Sequence, residues 1–275
     1  MSMPDAAVPV ISVLMGVYYR KTDTALLERS VRSILEQTFG DFEFLICDDG
    51  STAEAASLLE DLATEDSRIR LIRVGTLFSL PQKLNACLAV ARGKFLARMD
   101  DDDWSDHRRF EKQIHALETN PGAAFVGSNV LLWRDGVCVG SRELPARPTI
   151  QDFLFVQPFI HPTLVFRAEA LRAVGGYSED MHCVLCEDYD LLLRMYAQGY
   201  WGINLADPLL RYTVPAPGRY RRKMKYRFNE SVTRYRRFRE LKMLPKALPY
   251  VLKPIAVGLL PGQLVHWLKK QIYQC

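Results

Sequence analysis

The hydrophobic pattern along the first hundred residues alternates between two periods. Mainly apolar runs at 10–18, 42–47, 69–74 and 94–99 have the length and side-chain types of buried strands. Between them apolar residues recur at helical spacing: Leu26, Leu27, Val31, Ile34 and Leu35, then Leu58, Leu59 and Leu62, then the stretch 81–91. Ser51 or Thr52 is placed to cap the second of these helices, Pro81 suits the first turn of the third, and Gly93 closes it. This order predicts a parallel, doubly wound sheet of Rossmann-like type.

After residue 105 the pattern becomes mixed. A helix is expected over 106–118, stopped by Asn120-Pro121-Gly122, and strand-like runs at 123–133 and 137–142 are joined by a tight Asp135-Gly136 turn. Residues 149–156 read as helical, 162–167 as a strand and 168–173 as a short helix broken at Gly175-Gly176. A helix opens at Cys186-Glu187-Asp188-Tyr189-Asp190, with Leu191, Leu192, Met195 and Tyr196 on its apolar side, and 200–213 reads as a strand. The chain shows no internal repeat and no low-complexity segment.

Composition adds little to this until charge is divided along the chain. The 275 residues are 48% hydrophobic and 25% charged, which suits one large α/β domain or two small ones. The net charge of +4 conceals an asymmetry: residues 219–275 hold 15 Lys and Arg against 2 acids, and the rest hold 21 against 30. Aromatic residues Tyr220, Tyr226, Phe228, Tyr235 and Phe238 lie among the basic ones, and the apolar stretch 247–268 follows, interrupted by Pro249, Lys253, Pro254 and Pro261. A spanning helix wants about 20 uninterrupted apolar residues. The expectation is therefore an amphipathic element lying on an anionic membrane surface, and not a nucleic-acid binder, which has no need of the apolar stretch. Six cysteines without a regular framework point to reduced thiols in the cytoplasm, and the first nine residues lack the basic start of a secretory leader.

One stretch carries the candidate chemistry. Asp100, Asp101, Asp102 and Asp103 stand at the C-terminal end of an apolar strand, where open α/β sheets place their ligands. In an extended chain Asp100 and Asp102 point the same way, about 7 Å apart, and repel by about 2 kcal/mol. A hard divalent cation, Mn²⁺ or Mg²⁺, relieves that cost. The competing reading is a solvated acidic turn that caps the next helix. The set His182, Cys183 and Cys186 lacks the distant partner pair of a structural zinc site.

The strings Ser12-Val13-Leu14-Met15-Gly16-Val17-Tyr18, Phe42 through Cys47-Asp48-Asp49-Gly50-Ser51-Thr52, Ala97-Arg98-Met99-Asp100-Asp101-Asp102-Asp103 and Glu187-Asp188-Tyr189-Asp190-Leu191 follow one another in order. Together, over about residues 9–213, they resemble the family 2 glycosyltransferases of the GT-A fold. The resemblance implies transfer of a sugar from a nucleotide-sugar, here a UDP-sugar, to a hydroxyl of a glycan or lipid-linked acceptor, with inversion. It implies that Val17 and Tyr18 lie against the nucleotide and that Asp49, beside Asp48, meets the base, since a carboxylate accepts the ring N–H of uracil. Asp100 would touch the ribose or a metal-bound water, and Asp102 would coordinate the cation bridging the two phosphates. Asp101 is grouped with the donor-binding residues, and Asp103 is a second ligand or a cap. Asp188, the second member of the acidic pair with Glu187, would be the general base, because an alcohol is a weak nucleophile near neutral pH. His161 matches a position that lines the acceptor side.

One departure concerns the family's Asn-x-Gly before the third helix, replaced here by Leu77-Phe78-Ser79, although Asn85 keeps a later asparagine. Lys83 and Arg73 are candidates for phosphate or base, with surface placement as the alternative. Residues 1–104 read as the nucleotide-sugar-binding half, 105–214 as the acceptor half and 215–275 as a basic amphipathic tail that holds the protein to the inner face of the membrane. A nucleotidyltransferase is the competing enzyme class, but Tyr18-Tyr19-Arg20-Lys21 lacks the glycines of a phosphate-gripping loop. A non-catalytic adaptor is the competing reading outside enzymes.

Overall fold

Strand β1 (Ile11–Val17) leaves almost no side chain open to solvent, as a strand covered on both faces must. In this computed structural model, which describes residues 8–73, 79–216 and 222–260, β1 pairs in parallel with β2 (Phe42–Asp48) and β4 (Phe95–Arg98), and β2 with β3 (Ile69–Ile72). Helices α1 (Ala25–Leu35), α2 (Ala53–Glu65) and α3 (Leu80–Val90) make the crossovers. This is the alternation predicted from the sequence. Thr52 caps α2 by accepting the Ala55 N–H, and Ser79 caps α3 in the same way through Gln82.

The second half of the sheet is mixed, as expected. β8 (Val165–Arg167) runs antiparallel to β4 and to β6 (Phe125–Arg134), and β6 pairs with β7 (Val137–Arg142). β9 (Gly202–Thr213) runs parallel to β6 and antiparallel to the two-residue β5 (Trp104–Ser105), giving the order β3-β2-β1-β4-β8-β6-β9-β5. At the β6–β7 turn Asp135 and Gly136 both have positive φ, 47° and 82°, as a two-residue hairpin requires. The short helix α5 (Ala168–Ala173) and the longer α6 (Glu187–Ala197) lie where the pattern placed them.

Three expectations need correction. The helix expected from residue 106 is α4 (Arg109–Thr119), because Trp104 and Ser105 pair with Arg211 and Leu210 and Asp106 turns the chain by accepting the Arg108 N–H. The helix expected over 149–156 is one 3₁₀ turn, Ile150–Phe153, tied by Thr149 and Asp152. The strand expected from Pro162 begins at Val165, since His161–Thr163 first makes a 3₁₀ turn closed by Thr163 Oγ1 on the Ile160 carbonyl.

The sheet separates two apolar cores. Val13, Met15, Phe44, Ile46 and Ala97 face one, with α1, α2 and α4, and Leu14, Leu45 and Leu96 face the other, with α3, α5 and α6. The second core also receives the basic segment. Helix α7 (Met224–Glu240) buries Phe238 completely, and α8 (Leu248–Leu259) adds Val251. Buried Asp190 accepts from Arg194 at 2.8 Å and from Arg237 of α7 at 2.7 Å, while Arg234 of α7 donates to Glu230 and to the Leu154 carbonyl. The tail expected to lie on a surface is thus docked along α7 by its own arginines; residues 261–268 of the apolar stretch lie outside the described residues.

Gly93 lets β4 start beside β1. A Cβ there would sit 2.4 Å from the Ser12 backbone nitrogen and 2.7 Å from the Ile11 carbonyl carbon, while the Gly93 N–H donates to Ser12 Oγ at 2.8 Å. Neither backbone atom can swing away as a side chain would. Gly93→Ala is expected to cost about 1–3 kcal/mol or more, the range for overpacking a filled core, read as a lower urea midpoint with the slope preserved.

Candidate active site

Parallel strands β1, β2 and β4 all end at one edge of the sheet, and their register sets Val17 beside Asp48 and Leu14 beside Arg98. At that edge Val17 is wholly buried. Its side chain belongs to the core, so of the expected pair only Tyr18 faces outward, with the Arg20 guanidinium 5.4 Å and the Lys83 amine 5.1 Å from its ring centroid. Lys83 is drawn inward because α3 packs against the bare Gly16, where a Cβ would meet Lys83 Cβ at 3.0 Å. Arg73, by contrast, stays exposed in an ion pair with Glu60. Asp48 turns back to accept the Ser51 hydroxyl and N–H, whereas Asp49 takes no side-chain hydrogen bond among the described residues and sits half-buried beside it.

The aspartate run is a turn rather than an extended strand. β4 stops at Arg98 and the chain bends through Asp101 and Asp102 into β5. Each carboxylate consequently has its own surroundings. Asp100 forms an ion pair through Oδ1 with the completely buried Arg98. Asp103 is also buried and accepts the Thr213 N–H of β9 at 2.7 Å, which makes it a joint between sheet strands rather than a helix cap. Asp101 and Asp102 are left in the turn, pushed up to about 7 and about 6 by burial and then by the charges of their neighbours. Such crowding is a shortage of positive charge, and it fits a divalent cation. Among the described residues no three His, Cys, Asp or Glu side chains converge on one point. A cation here would take one or two protein carboxylates, Asp102 and the outer oxygen of Asp100, with phosphate and water oxygens for the rest.

Across the edge, α6 opens with Glu187 and Asp188. Asp188 Oδ2 accepts from Gln157 Nε2 at 2.9 Å and Oδ1 from the Tyr189 N–H at 2.8 Å. Burial raises Asp188 above the usual carboxylate range, and burial followed by the charge of Asp188 pushes Glu187 up to about 7. His161 Nε2 lies 2.9 Å from the Tyr177 hydroxyl, and burial beside Arg98 holds its ring neutral. Asp100, His161, Glu187 and Asp188 line one cleft of about 770 Å³, together with Tyr212 of β9 and residues of α7 and α8. A strand end and a helix start far apart in sequence therefore deliver acids to a common space.

Two features escaped the sequence reading. Gln157, which orients Asp188, comes from the irregular segment after the 3₁₀ turn, where no periodicity marks it. Arg98 was visible as a lone charge inside an apolar run, a signal that a buried counter-ion for the acids was present. Cys183 and Cys186 place their sulfurs 3.9 and 3.6 Å from Thr233 Oγ1 of α7, and burial raises both thiols. They anchor a helix, as packing residues do. Asn85 likewise serves structure, bonding the backbone of Tyr177 in both directions.

Comparison with known proteins agrees with this geometry. The family model described as glycosyl transferase family 2 matches residues 12–132. The chain is 33% identical over 259 residues to the putative glycosyltransferase EpsE of Bacillus subtilis, covering 94% of this chain and 92% of that one. It is 31% identical over 204 residues to the UDP-Glc:alpha-D-GlcNAc-diphosphoundecaprenol beta-1,3-glucosyltransferase WfaP of Escherichia coli, covering 74% and 77% of the two chains. Among solved structures it shares its fold with the mannosyltransferase PcManGT of Pyrobaculum calidifontis, determined with GDP-Man and Mn²⁺, at a TM-score of 0.61, 18% identity and coverage of 97% and 81%. With EpsE matched at 33% identity over 92% of its length, the family model on residues 12–132 and a sheet of GT-A type, the chain belongs to glycosyltransferase family 2.

Proposed function

We propose that this glycosyltransferase moves a sugar from a UDP-sugar to a hydroxyl of a lipid-linked or polysaccharide acceptor, with inversion and with a divalent cation at the aspartate turn. The reading rests on one observation above others: Asp100 from the donor-side strands and Asp188 from α6 line the same cleft. Tyr18, Lys83 and Asp49 stand at the donor end, where Asp49 accepts from the ring N–H of the base. Asp102 and Asp100 hold the cation, whose chemistry when bound is to neutralise charge on a departing diphosphate. Arg98 orients Asp100 through their ion pair. Asp188, fixed by Gln157 and the Tyr189 N–H, takes the proton of the attacking hydroxyl. The raised affinity of a buried carboxylate for protons strengthens it as a base. A single displacement from the face opposite the leaving diphosphate inverts the anomeric carbon. The names of the WfaP and PcManGT relatives support nucleotide-sugar donors, a lipid diphosphate acceptor in one case and Mn²⁺ in the other. The test is a panel of nucleotide-sugars with Mn²⁺, followed by release of nucleotide in the presence of acceptors; turnover of none of them would sink the reading.

The same reading puts the protein on an anionic membrane surface. No helix of the described residues is long and apolar enough to cross a membrane. α8 turns Leu248, Leu252 and Leu259 outward, and exposed Lys242 and Lys246 precede it. Leu252→Asp is expected to reduce co-sedimentation with phosphatidylglycerol vesicles by about tenfold, as a charge inserted at a lipid interface costs on the order of 1–3 kcal/mol. Equal pelleting of the variant and the parent would remove the membrane from this proposal. A truncation before α7 is the poorer test, because it would also strip Phe238 from the core.

A further inference from the structure

The catalytic cleft is lined by cations as well as acids. Arg142 at the end of β7, Arg222, Arg227 and Arg234 on or just before α7, and Lys253 of α8 line it alongside Glu187 and Asp188. Glu230 answers two of these charges, pairing with Arg222 at 2.6 Å and with Arg234 at 3.0 Å. Lys253 has no carboxylate in ion-pair range among the described residues. Its ammonium donates to the Phe155 carbonyl and lies 3.4 Å from the centroid of the Phe155 ring. Burial, with Arg234 nearby, pulls it down to about 8. It is also the one charged residue of α8, and it occupies the face that carries Pro254 and Val257 into the cleft, opposite the outward Leu248, Leu252 and Leu259. A half-buried ammonium with no carboxylate beside it favours an anion from outside the chain. The walls beside it are apolar: Phe155, Leu185 and Val257.

We propose that Lys253, with Arg142 and Arg227, forms an acceptor subsite for a diphosphate bonded to an apolar chain, which places the sugar on that diphosphate next to Asp188. This rests on the glycosyltransfer reading above and specifies its acceptor. The cations meet the phosphates, the chain follows Phe155, Leu185 and Val257 out of the cleft, and the outward apolar face of α8 keeps the mouth at the lipid surface. The donor's own diphosphate belongs at the aspartate turn, so the acceptor's phosphates are met by a separate set of residues.

The experiment is calorimetric titration of the full chain, first saturated with UDP and Mn²⁺ so that the donor end is filled. The probes are farnesyl diphosphate, farnesol and inorganic pyrophosphate. Farnesyl diphosphate is expected to bind at least about tenfold more tightly than either other probe, the scale of a charge-assisted hydrogen bond or of a buried apolar segment. Lys253→Met is expected to weaken it by about fivefold or more, and Lys253→Arg by less. Arg142→Gln, which leaves α8 untouched, repeats the measurement should Lys253→Met unfold. Equal binding of farnesol would overturn the phosphate contact, equal binding of pyrophosphate would overturn the apolar chain, and folded variants that bind like the parent would overturn the residues assigned. Failure of UDP itself to bind with Mn²⁺ counts instead against the glycosyltransfer reading, and the titration separates the two.

Discussion

Asp188→Asn is expected to lower sugar transfer by about 10²- to 10⁴-fold, the usual contribution of a positioned general base, while the dissociation constant for UDP with Mn²⁺ stays within a small factor of the parent value. The amide is nearly isosteric and still accepts the Tyr189 N–H through its oxygen. It loses the ability to remove a proton from the acceptor. Gln157 meets an amide in place of a carboxylate, so some local rearrangement is expected, which is why UDP binding is measured alongside. Glu187 shares the cleft and is itself pushed up to about 7. Glu187→Gln serves as the comparison, with the smaller loss. If Asp188→Asn transfers sugar at the parent rate, the base assignment is lost. If the two substitutions exchange their effects, the base is Glu187.

What could be read from the sequence divides along a physical line. Periodicity reports which face of an element is buried, and so the alternating strands and helices, the Asp135-Gly136 turn and the helix opening at Glu187 were all legible. It does not report which element does the burying. Nothing local in Arg234 or Arg237 says that α7 docks on Asp190 and closes the cleft, since the partners lie 80 and 47 residues away. The same limit applies to the aspartates. Their number and position at a strand end pointed to one site, yet their separation into an ion-paired Asp100, a strand joint at Asp103 and a crowded turn at Asp101 and Asp102 depends on Arg98, Thr213 and the bend after β4. The extended geometry assumed for neighbouring residues fails where a strand ends.

Replacing Asp102 by Asn should weaken Mn²⁺-dependent UDP binding by about tenfold or more, the scale of a lost charge-assisted contact, and should change how the protein responds to pH. In the folded chain Asp101 and Asp102 sit at about 7 and about 6, against about 3.9 for an unfolded aspartate. A carboxyl raised by folding contributes stability that is fully present below the unfolded value and is lost as pH rises through the folded one. Without divalent ions, the parent protein should therefore lose melting temperature between pH 5 and pH 8 as these two groups ionise. Mn²⁺ and protons compete for the same oxygens, so added Mn²⁺ with UDP should raise the melting temperature more at pH 8 than at pH 5. Asp102→Asn removes one of the crowded charges. Its metal-free melting temperature should fall less steeply over the same window, and the increment from Mn²⁺ with UDP at pH 8 should shrink. The two effects have opposite signs, so a generally destabilised variant cannot imitate them. An unchanged UDP affinity in this variant would move the cation away from Asp102.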